Sequence, residues 1–186
     1  FNGEIYNFKD IKKKYNLSTF SNSDTEVLLE IFSKIGEKCF NELNGIFAFI
    51  IYDKFLDKAY CVRDRLGVKP LYYLNKDKLF YFCSEIKGIK NVFKNFSINK
   101  DIVKSYLSNS FYDFSNKTFY EDICQVKQGT YMVFDIKKNS YEEKQYWNLK
   151  SKKKEHDSKY LDGLFINSLN LQQQSDTKVG LNVSSG

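Results

Sequence analysis

Phe1-Asn2-Gly3-Glu4-Ile5-Tyr6-Asn7 is the stretch from which the rest of the chain is read. An apolar residue runs into Asn-Gly-Glu, the form of a strand end that turns tightly and exposes polar groups. The Asn2 side-chain amide and the Gly3 backbone N–H are adjacent donors, and such a pair can stabilise a developing oxyanion. The chain closes on Val183-Ser184-Ser185-Gly186, small residues after an apolar strand, where phosphate-binding loops often begin. Both ends read as cuts through functional segments, so the expectation is a piece of a longer protein.

Working outward, Phe8, Ile11 and Tyr15 stand at helical spacing and predict a short amphipathic helix. Ser23-Asp24-Thr25-Glu26 has the form of a capping box. Val27, Leu28, Ile31, Phe32 and Ile35 follow it as an apolar stripe, with Gly36 as the C-cap. A second short helix is expected over 37–43, ended by Asn44-Gly45. The period then changes: 46–52 is a continuous apolar run that predicts a strand buried on both faces. Further strands are expected over 58–62, 71–74, 79–83, 129–136 and 141–147, with a hairpin turn over 75–78. Helices are expected from 84 to 89 and from an Asn99 cap to Leu107. The charged segment 151–157 reads as a linker. Beyond it Leu161, Leu164, Phe165 and Leu169 mark a helix, and 178–183 reads as a strand entering the closing loop.

Composition removes several function classes. Hydrophobic residues make up 42% of the 186 and aromatics 17%, enough for a packed core and too much for a disordered chain. The net charge of +6 is carried by scattered lysines, with Arg63 and Arg65 the only arginines. A nucleic-acid face clusters its basic residues and uses arginine forks, so no nucleic-acid partner is expected. Lys12-Lys13-Lys14 reads as a solvated helix face and Lys152-Lys153-Lys154 as part of the linker. Cys39, Cys61, Cys83 and Cys124 are widely spaced, contain no C-x-x-C pair and have only His156 to join them. That predicts no metal site and fits a reducing, cytoplasmic compartment. No apolar run approaches a membrane span, and no membrane partner is expected.

Seven segments then resemble one family in the same order. Phe1 to Asn7 resembles the NGEIYN segment of class II glutamine amidotransferases, and Ser23-Asp24-Thr25-Glu26-Val27 the SDTEV segment. Leu43-Asn44-Gly45-Ile46-Phe47-Ala48-Phe49 is similar to LNGMFAF. Arg63-Asp64-Arg65-Leu66-Gly67-Val68-Lys69-Pro70-Leu71-Tyr72-Tyr73 is similar to RDRFGIKPLYY, and Ser84-Glu85-Ile86-Lys87 to SEIKA. Tyr146-Trp147 resembles the YW that closes the glutaminase domain. Ser175-Asp176 and Val179 to Gly186 resemble the SDVPVG-x-x-LSGG stretch that opens the synthetase domain. The series points to the glutamine-hydrolysing asparagine synthetases and their close relatives.

The resemblance implies an α+β fold, the αββα sandwich of N-terminal-nucleophile hydrolases, over residues 1–150. Residues 151–186 would be a linker and the truncated start of an α/β ATP-pyrophosphatase domain. Glutamine would be hydrolysed by a cysteine at the mature N-terminus whose own α-amino group is the base. Ammonia would pass to the second domain, where ATP adenylates the aspartate side chain. Asn2 and Gly3 would be the oxyanion hole. With Glu4 and Asp24, which hold the amino-acid end, they would bind glutamine. Val183, Ser184, Ser185 and Gly186 would begin the ATP loop, ATP being bound with Mg2+. The implied partners are glutamine, ATP and aspartate or another carboxylate acceptor, with homodimerisation admitted. The Arg63-Asp64-Arg65…Lys69 segment is read as a charged turn held by ion pairs, with no catalytic part.

The departures set the alternatives. The nucleophilic cysteine is not among the four present, so the polypeptide as it stands is not expected to hydrolyse glutamine. Ser185 stands where the family has glycine, Lys178 where it has proline, and Gln172-Gln173-Gln174 where arginines are common. These point to a divergent branch whose acceptor could be another carboxylate, such as a sugar acid of a surface polysaccharide. A reading of a different class is a non-catalytic binding protein that keeps the glutaminase fold.

Overall fold

The computed structural model describes residues 1–77, 79–150 and 157–173, with residues 178 and 180. In chain order the elements are β1 (Asn2–Ile5), α1 (Phe8–Lys14), α2 (Asp24–Ile35), a 3-10 helix (Gly36–Glu42), β2 (Gly45–Asp53), β3 (Lys58–Arg63), β4 (Tyr72–Lys76), β5 (Leu79–Cys83), α3 (Ile86–Val92), α4 (Lys100–Asn109), β6 (Ile123–Gln125), β7 (Thr130–Asp135), β8 (Ser140–Gln145) and α5 (Ser158–Gln172).

The strands form two antiparallel sheets, one of five in the order β1-β2-β3-β7-β8 and one of three in the order β5-β4-β6. Side chains alternate across each strand, and this alternation builds the layers. Phe47, Phe49 and Ile51 of β2, Tyr60 and Val62 of β3 and Tyr131 of β7 share a core with Ile11 of α1 and Val27, Leu28 and Ile31 of α2. The intervening residues Ala48, Cys61 and Met132 pack on Leu71, Tyr73 and Val126 at the smaller sheet. The far side of that sheet gives Leu74 and Ile123, which pack on Ile89 of α3. The result is the α-β-β-α layering expected from the sequence.

Three local readings change. The 46–52 strand is not buried on both faces throughout: Ile50 is 44% exposed and Tyr52 51%. They lie on the Ala48 face, where the three-stranded sheet is too narrow to cover them. The expected helix over 37–43 is a 3-10 turn, which brings Cys39 and Phe40 to full burial before β2 begins. The hairpin turn is shorter than expected, since Lys76 pairs with Leu79 and only two residues connect β4 to β5. The expected linker over 151–157 and strand over 178–183 fall almost wholly outside the described residues. After Asp157, whose side chain accepts from the Tyr160 N–H at 2.8 Å, α5 has no buried residue.

Phe40 is the hub of the helix-side core. Its ring lies 4.9–6.5 Å, centroid to centroid, from those of Phe32, Phe49, Tyr60, Tyr131 and Tyr146. Phe40→Ala should therefore cost about 3–5 kcal/mol, the range for removing a large side chain from a closed core. A urea melt reads this as a lowered midpoint with the slope kept; a midpoint within experimental scatter of the parent would contradict it.

Candidate functional site

The segment read as a strand end is the strand itself. Asn2, Gly3, Glu4 and Ile5 form β1, and the turn falls later, at Tyr6-Asn7. Gly3 sits opposite Phe47 with φ +140°, a backbone region that side chains disfavour. A Cβ there would fall on the Ile46 carbonyl oxygen and 2.6 Å from the Phe47 Cα. Glycine is thus required by the close approach of β1 to β2.

The Tyr6 N–H donates to the Asn44 carbonyl at 2.8 Å, which fixes the phase of the ladder. In an antiparallel pair alternate residues face the partner strand. The N–H groups of Gly3 and Ile5 therefore turn away from β2, towards the open edge that β1 forms in the sheet. Ile5 shows what stands there: its N–H donates to Asp24 Oδ2 at 3.0 Å. Asn7 locks the end of β1, donating through Nδ2 to the Glu42 carbonyl at 2.9 Å and accepting the Asn44 N–H on Oδ1 at 2.9 Å.

Asp24 opens α2, and Ser23 caps the helix by accepting the Thr25 N–H at 3.2 Å. The Asp24 carboxylate takes one bond on each oxygen, from Ile5 N–H and from the Thr25 hydroxyl at 3.2 Å. A carboxylate has about four acceptor positions, so Asp24 keeps capacity for a cation. Glu4 is exposed on the same strand as Asn2 and Gly3. The structure thus brings the four sequence-predicted residues of the glutamine site to one edge: three on β1 and Asp24 bonded to that strand.

The capping box is corrected. Glu26 does not return to Ser23 but reaches further back, accepting Phe20 N–H at 2.6 Å, Ser21 N–H at 2.8 Å and the Ser21 hydroxyl. It staples the loop that delivers Ser23 and Asp24.

The 63–69 segment is also corrected, because backbone hydrogen bonds hold it rather than ion pairs. Arg63 gives its guanidinium to the carbonyls of Lys69 (2.9 Å), Gly67 (2.8 Å) and Val126 (2.7 Å) and to Gln125 Oε1 (3.0 Å). Burial pushes its pKa down. Asp64, 1% exposed, accepts four backbone N–H groups, from Phe47, Leu66, Val68 and Lys69. Tyr146 donates its hydroxyl to the Arg63 carbonyl at 2.8 Å, tying the end of the large sheet to the same place. Burial, then the carboxylates of Glu4 and Asp64, raise the Tyr6 phenol above its ordinary value.

The cysteines do not join the site. Cys39 and Cys61 are buried, and burial pushes both thiols up to about 12. Burial also raises Cys124. Among the described residues no cluster of three or more His, Cys, Asp or Glu could hold a metal ion. No described helix is long and apolar enough to cross a membrane. A cavity of about 150 Å³ lined by Glu37, Lys38, Asn41, Tyr131, Gln145 and Tyr146 includes none of the site residues. The ATP-loop residues Val183, Ser184, Ser185 and Gly186 lie outside the described residues.

A glutamine amidotransferase domain family matches residues 1–147. The chain belongs to this family. Over its whole length this amidotransferase chain is 38% identical to a putative glutamine-hydrolysing asparagine synthetase 2 of Methanocaldococcus jannaschii, covering 37% of that protein. It is 32% identical, again over its whole length, to asparagine synthetase 3 of Bacillus subtilis, covering 31% of it. The chain therefore spans about a third of the length of these curated relatives. Among solved structures, glutamine phosphoribosylpyrophosphate amidotransferase of B. subtilis superposes with TM-score 0.54 over 78% of this chain and 28% of its own, at 19% identity. The fold is of the N-terminal-nucleophile hydrolase type.

The Glu26 staple gives a pH prediction. The Ser21 hydroxyl bond, with the backbone bonds from Phe20 and Ser21, holds the carboxyl below its ordinary value of 4.5. A depressed carboxyl stabilises the fold above that value, and the contribution is lost as pH falls through the lowered folded pKa. Glu26→Gln should flatten the acid limb of a melting-temperature profile taken from pH 7 to pH 3 (roughly the carboxylate range). An acid limb identical to the parent's would contradict this.

Proposed function

We propose that this chain forms the glutamine-binding part of a glutamine-hydrolysing asparagine synthetase. The observation that carries the reading is the Ile5 N–H to Asp24 Oδ2 bond of 3.0 Å. It holds a carboxylate beside the strand whose preceding residues supply two adjacent hydrogen-bond donors. Glutamine needs both things. Its ammonium calls for carboxylates, here Asp24 and Glu4. Its side-chain carbonyl calls for donors that strengthen as the oxygen becomes negative, here Asn2 Nδ2 and Gly3 N–H.

The reaction follows from that placement. A thiolate adds to the glutamine side-chain carbonyl, and Asn2 and Gly3 receive the oxyanion. Collapse breaks the carbon–nitrogen bond, ammonia leaves with a proton, and water then hydrolyses the thioester to glutamate. The thiolate is assigned, as the resemblance implies, to a cysteine at the mature N-terminus; Cys39 and Cys61 are buried with their thiols pushed up to about 12, which makes them poor nucleophiles. For the synthetase half we assign ATP, carried with Mg2+, to a loop beginning at Val183, Ser184, Ser185 and Gly186, and aspartate as acceptor. The relatives' names, glutamine-hydrolysing asparagine synthetases, support asparagine as the product, while ATP, Mg2+ and the loop rest on the resemblance of the closing segment alone. The working compartment is the cytoplasm, consistent with four unpaired cysteines.

A second acceptor stays in play because of one residue. Ser185 adds a Cβ and a hydroxyl where the resembled loop has glycine. That change favours an altered partner at the synthetase site, such as a sugar carboxylate.

In the full-length protein, Asn2→Ala should lower kcat for glutamine hydrolysis by about 10²–10³, the usual loss for one oxyanion donor. Asp24→Asn should raise KM for glutamine, with the smaller effect on kcat. A glutaminase assay at saturating and limiting glutamine separates the two. Unchanged kinetics in both variants would remove the site from β1. Formation of asparagine from aspartate, ATP and glutamine supports aspartate as acceptor; its absence while glutamine is hydrolysed points to another carboxylate.

A further inference from the structure

We infer that Asp64 is a positioning residue for the oxyanion hole, acting on Gly3 through Phe47. The inference rests on the glutaminase reading above.

The ladder between β2 and β3 ends in an irregular way. Asp64 N–H donates to the Phe47 carbonyl at 2.8 Å, as the next pair of a regular antiparallel ladder would. The return bond does not go to the Asp64 carbonyl. That carbonyl turns aside to accept the Gly129 N–H at 2.9 Å and the Gly67 N–H at 3.2 Å. The Phe47 N–H goes instead to Asp64 Oδ2, at 3.3 Å. The carboxylate therefore stands in for a backbone carbonyl at the point where β3 leaves the sheet.

The same carboxylate gathers the loop. Oδ1 accepts Leu66 N–H and Val68 N–H, each at 3.0 Å, and Oδ2 also accepts Lys69 N–H at 2.9 Å. With four donors the acceptor capacity of a carboxylate is filled. At 1% exposure the group has no solvent to fall back on, so any movement leaves donors unsatisfied. Phe47 is thereby pinned from the β3 side.

On its other side Phe47 faces Gly3. The two are register partners, and the approach is so close that a Cβ on Gly3 would stand 2.6 Å from the Phe47 Cα. β1 has no strand beyond it to hold it in place. The position of the Gly3 N–H is thus set by Phe47, and that of Phe47 by Asp64. A misplacement of the order of 1 Å in such a donor is enough to cost about 10²-fold in rate.

The test uses full-length protein and the isosteric Asp64→Asn, which keeps one acceptor oxygen and turns an NH2 towards the converging N–H groups. Glutamine still meets Glu4 and Asp24, so KM should stay within about twofold while kcat falls about 10- to 100-fold. Melting temperature and circular dichroism check that the variant is folded. If it is not, Asp64→Ser, smaller and able to accept one bond, is measured in the same way with the same expectation. A folded variant with kcat within about threefold of the parent overturns the inference. So does a variant in which KM rises as steeply as kcat falls, since that is general loosening of the site. Absence of glutamine hydrolysis in the parent protein overturns the glutaminase reading itself, a distinguishable result.

Discussion

The molecule is organised around a buried carboxylate that replaces a backbone carbonyl. Asp64 fills its four acceptor positions with N–H groups from β2 and from the loop that leaves β3. Arg63 braces that loop from within, through carbonyls of Gly67, Lys69 and Val126. Gly129 and Tyr146 fasten the opposite end of the large sheet to the same two residues. A short edge strand of four residues would be a weak support for a site. Here it lies against Phe47, which the Asp64 cluster fixes, and Asn7 closes its far end on Glu42 and Asn44.

Charge in this arrangement is directed at backbone rather than at opposite charge. Neither Arg63 nor Asp64 forms an ion pair among the described residues. The pairs that do occur join lysines to glutamates and aspartates at the surface, where a pair contributes little. A buried group bonded to several amides at fixed angles has few alternatives, so it defines geometry more sharply than a single partner charge. This suits a segment that stands behind a strand of hydrogen-bond donors.

Much of this was legible in the sequence because it depends on periodicity and on local capping. The stripe from Val27 to Ile35 gave α2, and Asn99 announced α4. The continuous apolar run over 46–52 announced the central strand, though nothing in it showed how narrow the covering sheet is at Ile50 and Tyr52. β6 was not legible, since Ile123–Gln125 is three residues long and exists because β4 pairs with it. Asn2, Gly3, Glu4 and Asp24 were singled out as candidates by motif, yet their meeting in the fold depends on a bond spanning nineteen residues, Ile5 to Asp24. The part played by Asp64 was hidden. Its donors are main-chain amides, which every residue but proline carries, so no residue type marks them. A run of Arg, Asp, Arg and Lys suggested ion pairs, and the fold uses the same side chains to satisfy backbone.

The central claim is that the edge of β1 is where glutamine binds and where its carbonyl becomes an oxyanion. It is tested most directly by a crystal structure of the full-length protein soaked with glutamate, the product of glutamine hydrolysis. The account predicts its ammonium on Asp24 and Glu4, and a side-chain oxygen within about 3.2 Å of both Asn2 Nδ2 and Gly3 N–H. Glutamate seated elsewhere, for instance in the cavity beside Tyr131 and Tyr146, with β1 unoccupied, would contradict it.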